Sequence, residues 1–161
     1  MSSLEKVYFH SEHTDCYTYF KIVGDFDPDT ATELLGIAPE KFWRIGDKRK
    51  NGTVYDFALW QTGTCREYDI EVSDQMLKTL APLLDKIDVL NEIKERYDVD
   101  FVLEAVPTVR FDESTPCLAP SLEVMRFCCA TETSIDIDLY VSCPDEFNGG
   151  EVLEITVKEN G

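Results

Sequence analysis

Apolar and polar positions alternate with the two-residue period of a β-strand over several stretches of this chain. The cleanest is residues 134–141, where Ile135, Ile137, Leu139 and Val141 share one face and Asp136, Asp138 and Tyr140 the other. Segments 4–10 and 14–24 are rich in aromatic and β-branched side chains, as are residues 54–61 with Tyr55, Phe57 and Trp60. Residues 64–72 set Tyr68, Ile70 and Val72 against Asp69 and Glu71. Residues 100–111 line up Phe101, Leu103, Ala105, Val109 and Phe111. Pro107 inside that run points to a bulge or an edge position, because it lacks a ladder donor. A last strand is expected at 151–158, after the turn-like residues 147–150.

Helical spacing replaces alternation in three places. Met76, Leu80, Leu83, Ile87, Leu90 and Tyr97 form one apolar stripe behind a capping Ser73, and Pro82 should kink the helix or restart it. From Pro120 or Ser121 to about Ala130 the chain is apolar around most of a helical circumference, which predicts a buried helix. Asp27 before Pro28, or alternatively Thr30 with Glu33, opens a short helix that Gly36 and Pro39 close. The expected fold is α+β: a single-domain two-layer sandwich over residues 1–161, with a mainly antiparallel sheet and two main helices on one face.

Charge narrows the partners. The chain of 161 residues carries a formal net charge of −17, which argues against nucleic acid and anionic membranes as general partners. The negative charge is unevenly spread. Residues 1–50 hold nine acids and seven bases, whereas residues 51–161 hold twenty-three acids and eight bases. The absence of an export signal or a transmembrane-length apolar run predicts a cytoplasmic protein. The six cysteines (Cys16, Cys65, Cys117, Cys128, Cys129 and Cys143) are then read as reduced thiols, with no C-x-x-C pair for zinc or disulfide exchange.

A set of residues recurs in a recognisable order. Phe20 and Asp27-Pro28 are followed by Glu33-Leu34-Leu35-Gly36-Ile37-Ala38-Pro39, then Trp43 with Gly46-Asp47, then Trp60. Leu118 to Met125 and Ile135-Asp136-Ile137-Asp138-Leu139-Tyr140 complete it. In these features the chain resembles the mostly bacterial family catalogued as domain of unknown function 4279, over roughly residues 17–142. The resemblance implies a small cytosolic α+β domain, and carries no activity, substrate or catalytic residue. It departs at Ala38, where a polar residue is expected before Pro39, and in the extension 143–161, about which it says least.

Candidate chemistry is sparse. His10, His13 and Cys16 are metal-capable, but residues three apart on a strand face opposite ways and no fourth ligand is evident. Asp25, Asp27 and Asp29 have Thr30 and Gly36 where a calcium loop needs Gly and Glu, so helix capping explains them. Asp136 and Asp138 share a strand face about 7 Å apart. That spacing suits acid and base work or a metal, and equally a solvated sheet face. No nucleophile elbow, P-loop, zinc-protease or dinucleotide motif is present, and the sequence calls for no cofactor and no metal.

Lys41, Arg44, Lys48, Arg49 and Lys50 against Asp47 make a basic loop that also holds Phe42 and Trp43. It reads either as a solvated loop anchored by Trp43, or as a recognition loop with Arg44 as fork and Trp43 as platform. The leading expectation is a non-enzymatic protein-binding module, of the immunity or antitoxin kind, whose acidic surface covers a basic partner. The alternative is a ligand-binding or hydrolytic site built from Trp43, Arg44, Gly46 and Asp47 with Trp60, Asp136 and Asp138. The oligomeric state is left open.

Overall fold

The computed structural model describes residues 14–66 and 71–142. The elements are β1 (Asp15–Gly24), α1 (Pro28–Leu35), β2 (Lys41–Trp43), β3 (Ala58–Gln61), α2 (Val72–Leu80), α3 (Ile87–Tyr97), β4 (Asp100–Arg110), α4 (Leu122–Thr131), β5 (Thr133–Ile137) and β6 (Tyr140–Ser142). They form a six-stranded sheet in the order β2-β3-β1-β4-β5, with β6 also on β4. The pairs β2–β3, β3–β1 and β1–β4 are antiparallel, and β4 pairs with β5 and β6 in parallel. This is the expected α+β class.

The helical layer holds four α-helices: the expected short helix, the expected buried helix, and the expected apolar stripe in two parts. Pro82 accounts for the division of the stripe. It divides the predicted apolar stripe into α2, a 3-10 turn at Ala81–Leu83, and α3, since its ring and missing N–H cannot continue the helix. α1 starts with Asp27, whose carboxylate accepts the Asp29 N–H at 3.1 Å, and ends at Gly36, whose φ of 66° suits glycine. Ser73 does not cap α2. Glu71 holds that position, and the Ser73 hydroxyl accepts the Ser121 N–H at 2.9 Å, tying α2 to the start of α4.

The core lies between the helices and one sheet face. Phe20, Ile22, Trp60, Phe101 and Leu103 meet Leu35, Met76, Leu80, Leu90, Ile93, Val124 and Phe127 there. Phe20 packs against Phe101 and edge-on against Phe127, with centroids 5.7 and 6.3 Å apart. Each such side chain removed from water contributes about 1.5–3 kcal/mol. A buried polar seam crosses the same face: Thr18 bonds the Gln75 carbonyl and the Thr79 hydroxyl, and the Gln75 amide donates to the Cys16 carbonyl. All its groups are satisfied, as burial requires.

Pro107 lies at neither an edge nor a bulge. It pairs with Cys16 in the middle of the sheet. The Ala105 carbonyl accepts the Asp138 N–H, so the missing donor of Pro107, two residues on, points to the same side. There the predicted 134–141 strand breaks into β5 and β6, which keep one register along β4. Of its expected inward side chains only Ile135 packs on the core. Ile137, Leu139 and Val141 are 37, 51 and 58% exposed. Residues 67–70 of the predicted strand 64–72 lie outside the described residues. Cys65 forms an isolated bridge with Thr18, and Val72 already belongs to α2. The expected strands at 4–10 and 151–158 lie outside the described residues.

Candidate functional site

The opposite sheet face is free of helices among the described elements. Strand register arranges it in cross-strand rows. One row runs Trp43–Leu59–Val23–Asp100, and the next Lys41–Gln61–Lys21–Val102–Ser134. A third runs Tyr19–Glu104–Asp136. The β2–β1 part of these rows is concave, a groove of about 370 Å³ walled by Trp43, Phe57 and Tyr19 and floored by Val23, Leu59 and Val102. Its polar lining is Lys21, Lys41, Gln61 and Asp100.

The two lysines differ in what holds them. Lys21 forms an ion pair with Glu104, a side chain only 7% exposed. Lys41 makes no ion pair with any described residue, and its Nζ lies 5.2 Å from the centroid of the Trp43 ring. Gln61 is 8% exposed, and its side-chain amide bonds to no described residue. The amide is therefore open toward the groove.

Trp43 belongs to a four-layer stack. Its indole lies parallel to Tyr55 at 4.2 Å, Arg49 covers Tyr55 at 4.6 Å, and Lys41 lies over Trp43. A ring at 4.2 Å fills one face of the indole, so Lys41 and the groove take the other. The indole N–H donates to the Phe57 carbonyl at 3.0 Å and fixes the ring. The basic loop thus has structural uses for two of its five cations, Arg44 and Arg49. Arg44 pairs with Asp27 and Asp29 at the start of α1, so its fork is already occupied. Gly46, with φ 86°, donates to the Tyr55 carbonyl. Asp47 accepts the Arg44 N–H at 2.7 Å and closes the turn.

The expected site residues are therefore dispersed. Trp43 lines the groove, and Arg44, Gly46 and Asp47 build the loop that carries it. Trp60 is fully buried on the helical face, its Nε1 donating to the Thr32 hydroxyl at 3.0 Å. Asp136 lies beside Glu104 toward the other edge, and Asp138 accepts the Tyr140 hydroxyl at 2.7 Å. Cys16 is buried in β1, while His10 and His13 lie outside the described residues. Among the described residues no group of three His, Cys, Asp or Glu side chains could hold a metal ion. Gln61, Lys21, Tyr19 and Asp100 are polar lining residues that sequence reasoning passed over as site candidates. Their one signal was their shared side of adjacent strands, which needs the register to be read.

The acidic end of this face marks its tyrosines. Burial, followed by the charge of Glu104, pushes the Tyr19 hydroxyl up to about 12, with Asp138 and Asp136 adding to it. Burial also raises Tyr17, with Asp138 and Glu104 adding to the effect and Arg66 opposing it. The face thus has an aromatic and cationic end at β2–β3, an apolar floor between, and a carboxylate end at β4–β5.

Fold and face together define an α+β domain with one helix-covered and one open sheet face. Residues 14–142 match the family model described as Domain of unknown function (DUF4279), and the chain belongs to that family. No curated protein and no solved structure matches it. Among the described residues no helix is long and apolar enough to cross a membrane.

Proposed function

We propose that this is a non-enzymatic binding module, a single-domain cytoplasmic protein of bacterial type, which receives a ligand in the open-face groove. One observation carries the reading: Gln61, a residue only 8% exposed, lines the groove, and its amide has no protein partner among the described residues. The amide atoms meet water in the groove, because they are not among the buried polar atoms left without a partner, and the polar edge of a ligand can take that water's place. Apolar walls with a few convergent polar groups are the ordinary make-up of a ligand site. The test is an NMR screen of chemically diverse fragments against ¹⁵N-labelled protein. Hits should move the Trp43 indole and Gln61 amide resonances together. A diverse library that leaves both unmoved refutes the reading.

A second reading rests on the exposed carboxylates Asp136 and Asp138 toward the other edge of the same face. They suit a basic partner protein, such as the cationic effector of an immunity or antitoxin pair. Association would then be fast at low ionic strength and weakened by salt. Low-salt capture that recovers no basic protein from the native lysate, or recovers it equally well with D136N/D138N, counts against this reading.

A further inference from the structure

The inference rests on the groove reading above and names the ligand. From the groove-side face of Trp43, over which only the Lys41 side chain lies, the open Gln61 amide, and a Lys41 that has no carboxylate partner among the described residues, we infer that the groove takes a planar fused-ring lactam carrying a single anionic group.

Each part of that description has its own residue. Trp43 is held by Tyr55 on one face and by the bond from its Nε1 to the Phe57 carbonyl, so its other face becomes a fixed platform when the flexible Lys41 side chain swings from it toward the ligand's anionic group. Stacking on such a platform favours a flat ring over a puckered one. Gln61 offers an N–H donor and a carbonyl acceptor side by side. The edge that satisfies both is an adjacent acceptor and donor, as in a lactam, the pairing by which glutamine reads a base edge.

Charge sets the rest. Lys21 is already paired with Glu104, whereas Lys41 has no carboxylate partner among the described residues. Lys41 is one strand from Gln61, so an anionic substituent on the far side of the ring system reaches it. Asp100 stands three strands from Trp43 in the same row, about 14 Å at ordinary strand spacing. Its carboxylate opposes a second anionic group there, which limits the ligand to one.

The experiment titrates ¹⁵N-labelled full-length protein with three probes: a quinolinone carboxylate, its carboxamide, and the N-methyl derivative of the carboxylate. The chain has two tryptophans, and Trp60, buried on the opposite face, is the internal reference. The carboxylate should move the Trp43 indole and Gln61 amide resonances and leave Trp60 in place. The carboxamide should bind about fivefold more weakly, the value of one exposed ion pair. The N-methyl derivative should bind about tenfold more weakly, since it leaves the amide acceptor unpaired. K41M should make carboxylate and carboxamide equal, and Q61L should erase the N-methyl effect. An unmoved Trp60 resonance reports that each variant is folded.

Equal binding of carboxylate and carboxamide, or of the carboxylate and its N-methyl derivative, overturns the ligand class. So does silence from all three probes when other fragments move Trp43, which leaves the groove reading standing. Silence from every fragment removes both.

Discussion

Lys21 reaches diagonally from β1 to Glu104 on β4, and the two close an ion pair on a sheet face that carries no described helix. Their exposures differ, 23% for the lysine side chain against 7% for the glutamate. Removal of either partner should therefore not cost the same. K21M leaves a nearly buried carboxylate without a cation and should destabilise by about 2–4 kcal/mol. E104Q leaves a lysine that can turn to water and should cost only about 1 kcal/mol. Urea unfolding of the single variants and of K21M/E104L checks this, with the double variant expected to be more stable than K21M.

Trp60 makes a comparable point about the core. Its Nε1 donates to the Thr32 hydroxyl, which itself donates to the Pro28 carbonyl at 3.0 Å within α1. T32V keeps the shape but strands a buried indole N–H, and should lower stability by about 1–3 kcal/mol. T32S should restore most of it. Chemical denaturation followed by far-UV circular dichroism separates the two.

Tyr19 gives the alkaline limb of stability its sign. Its folded-state value, about 12, lies above the ordinary 10, so the protonated ring is favoured by folding. That contribution is complete below about pH 10 and is lost as pH rises through about 12. Wild-type stability should fall across this window, and Y19F should flatten that fall. Denaturation midpoints measured between pH 9 and 12 are the check.

The cysteines should divide by reactivity. Burial pushes the Cys16 and Cys128 thiols up to about 11, whereas Cys117 and Cys129 are exposed. At pH about 8 the first two hold little thiolate and are shielded, so alkylation should mark Cys117 and Cys129 before Cys16 and Cys128. Peptide mapping by mass spectrometry resolves the adjacent Cys128 and Cys129. Equal labelling of that pair would contradict the described packing.

Much of the fold was legible because burial writes itself into periodicity. The alternation in β1 and β4 and the stripe through Met76, Leu80 and Leu90 follow directly from one-sided packing. Non-glycine helix ends were not legible: Asp98 and Glu132 take φ of 50° and 52° at the ends of α3 and α4, which neither residue type announces. Nor was the groove. Its lining comes from four strands brought together by long-range register, so Gln61 and Lys21 look like ordinary outward strand positions. The two tryptophans, grouped by their sequence neighbourhood, were separated by the sheet itself: Trp43 and Trp60 belong to adjacent strands and opposite faces.

The proline in β4 also bears on self-association. Opposite Pro107 the outer strand is cut into five residues and three, β5 and β6. A neighbouring molecule seeking to extend the sheet along this side meets a discontinuous row of backbone donors and acceptors. Such interruption blunts the templating of further strands, so among the described residues a single imino acid in the sheet interior leaves this border a poor seat for an incoming strand.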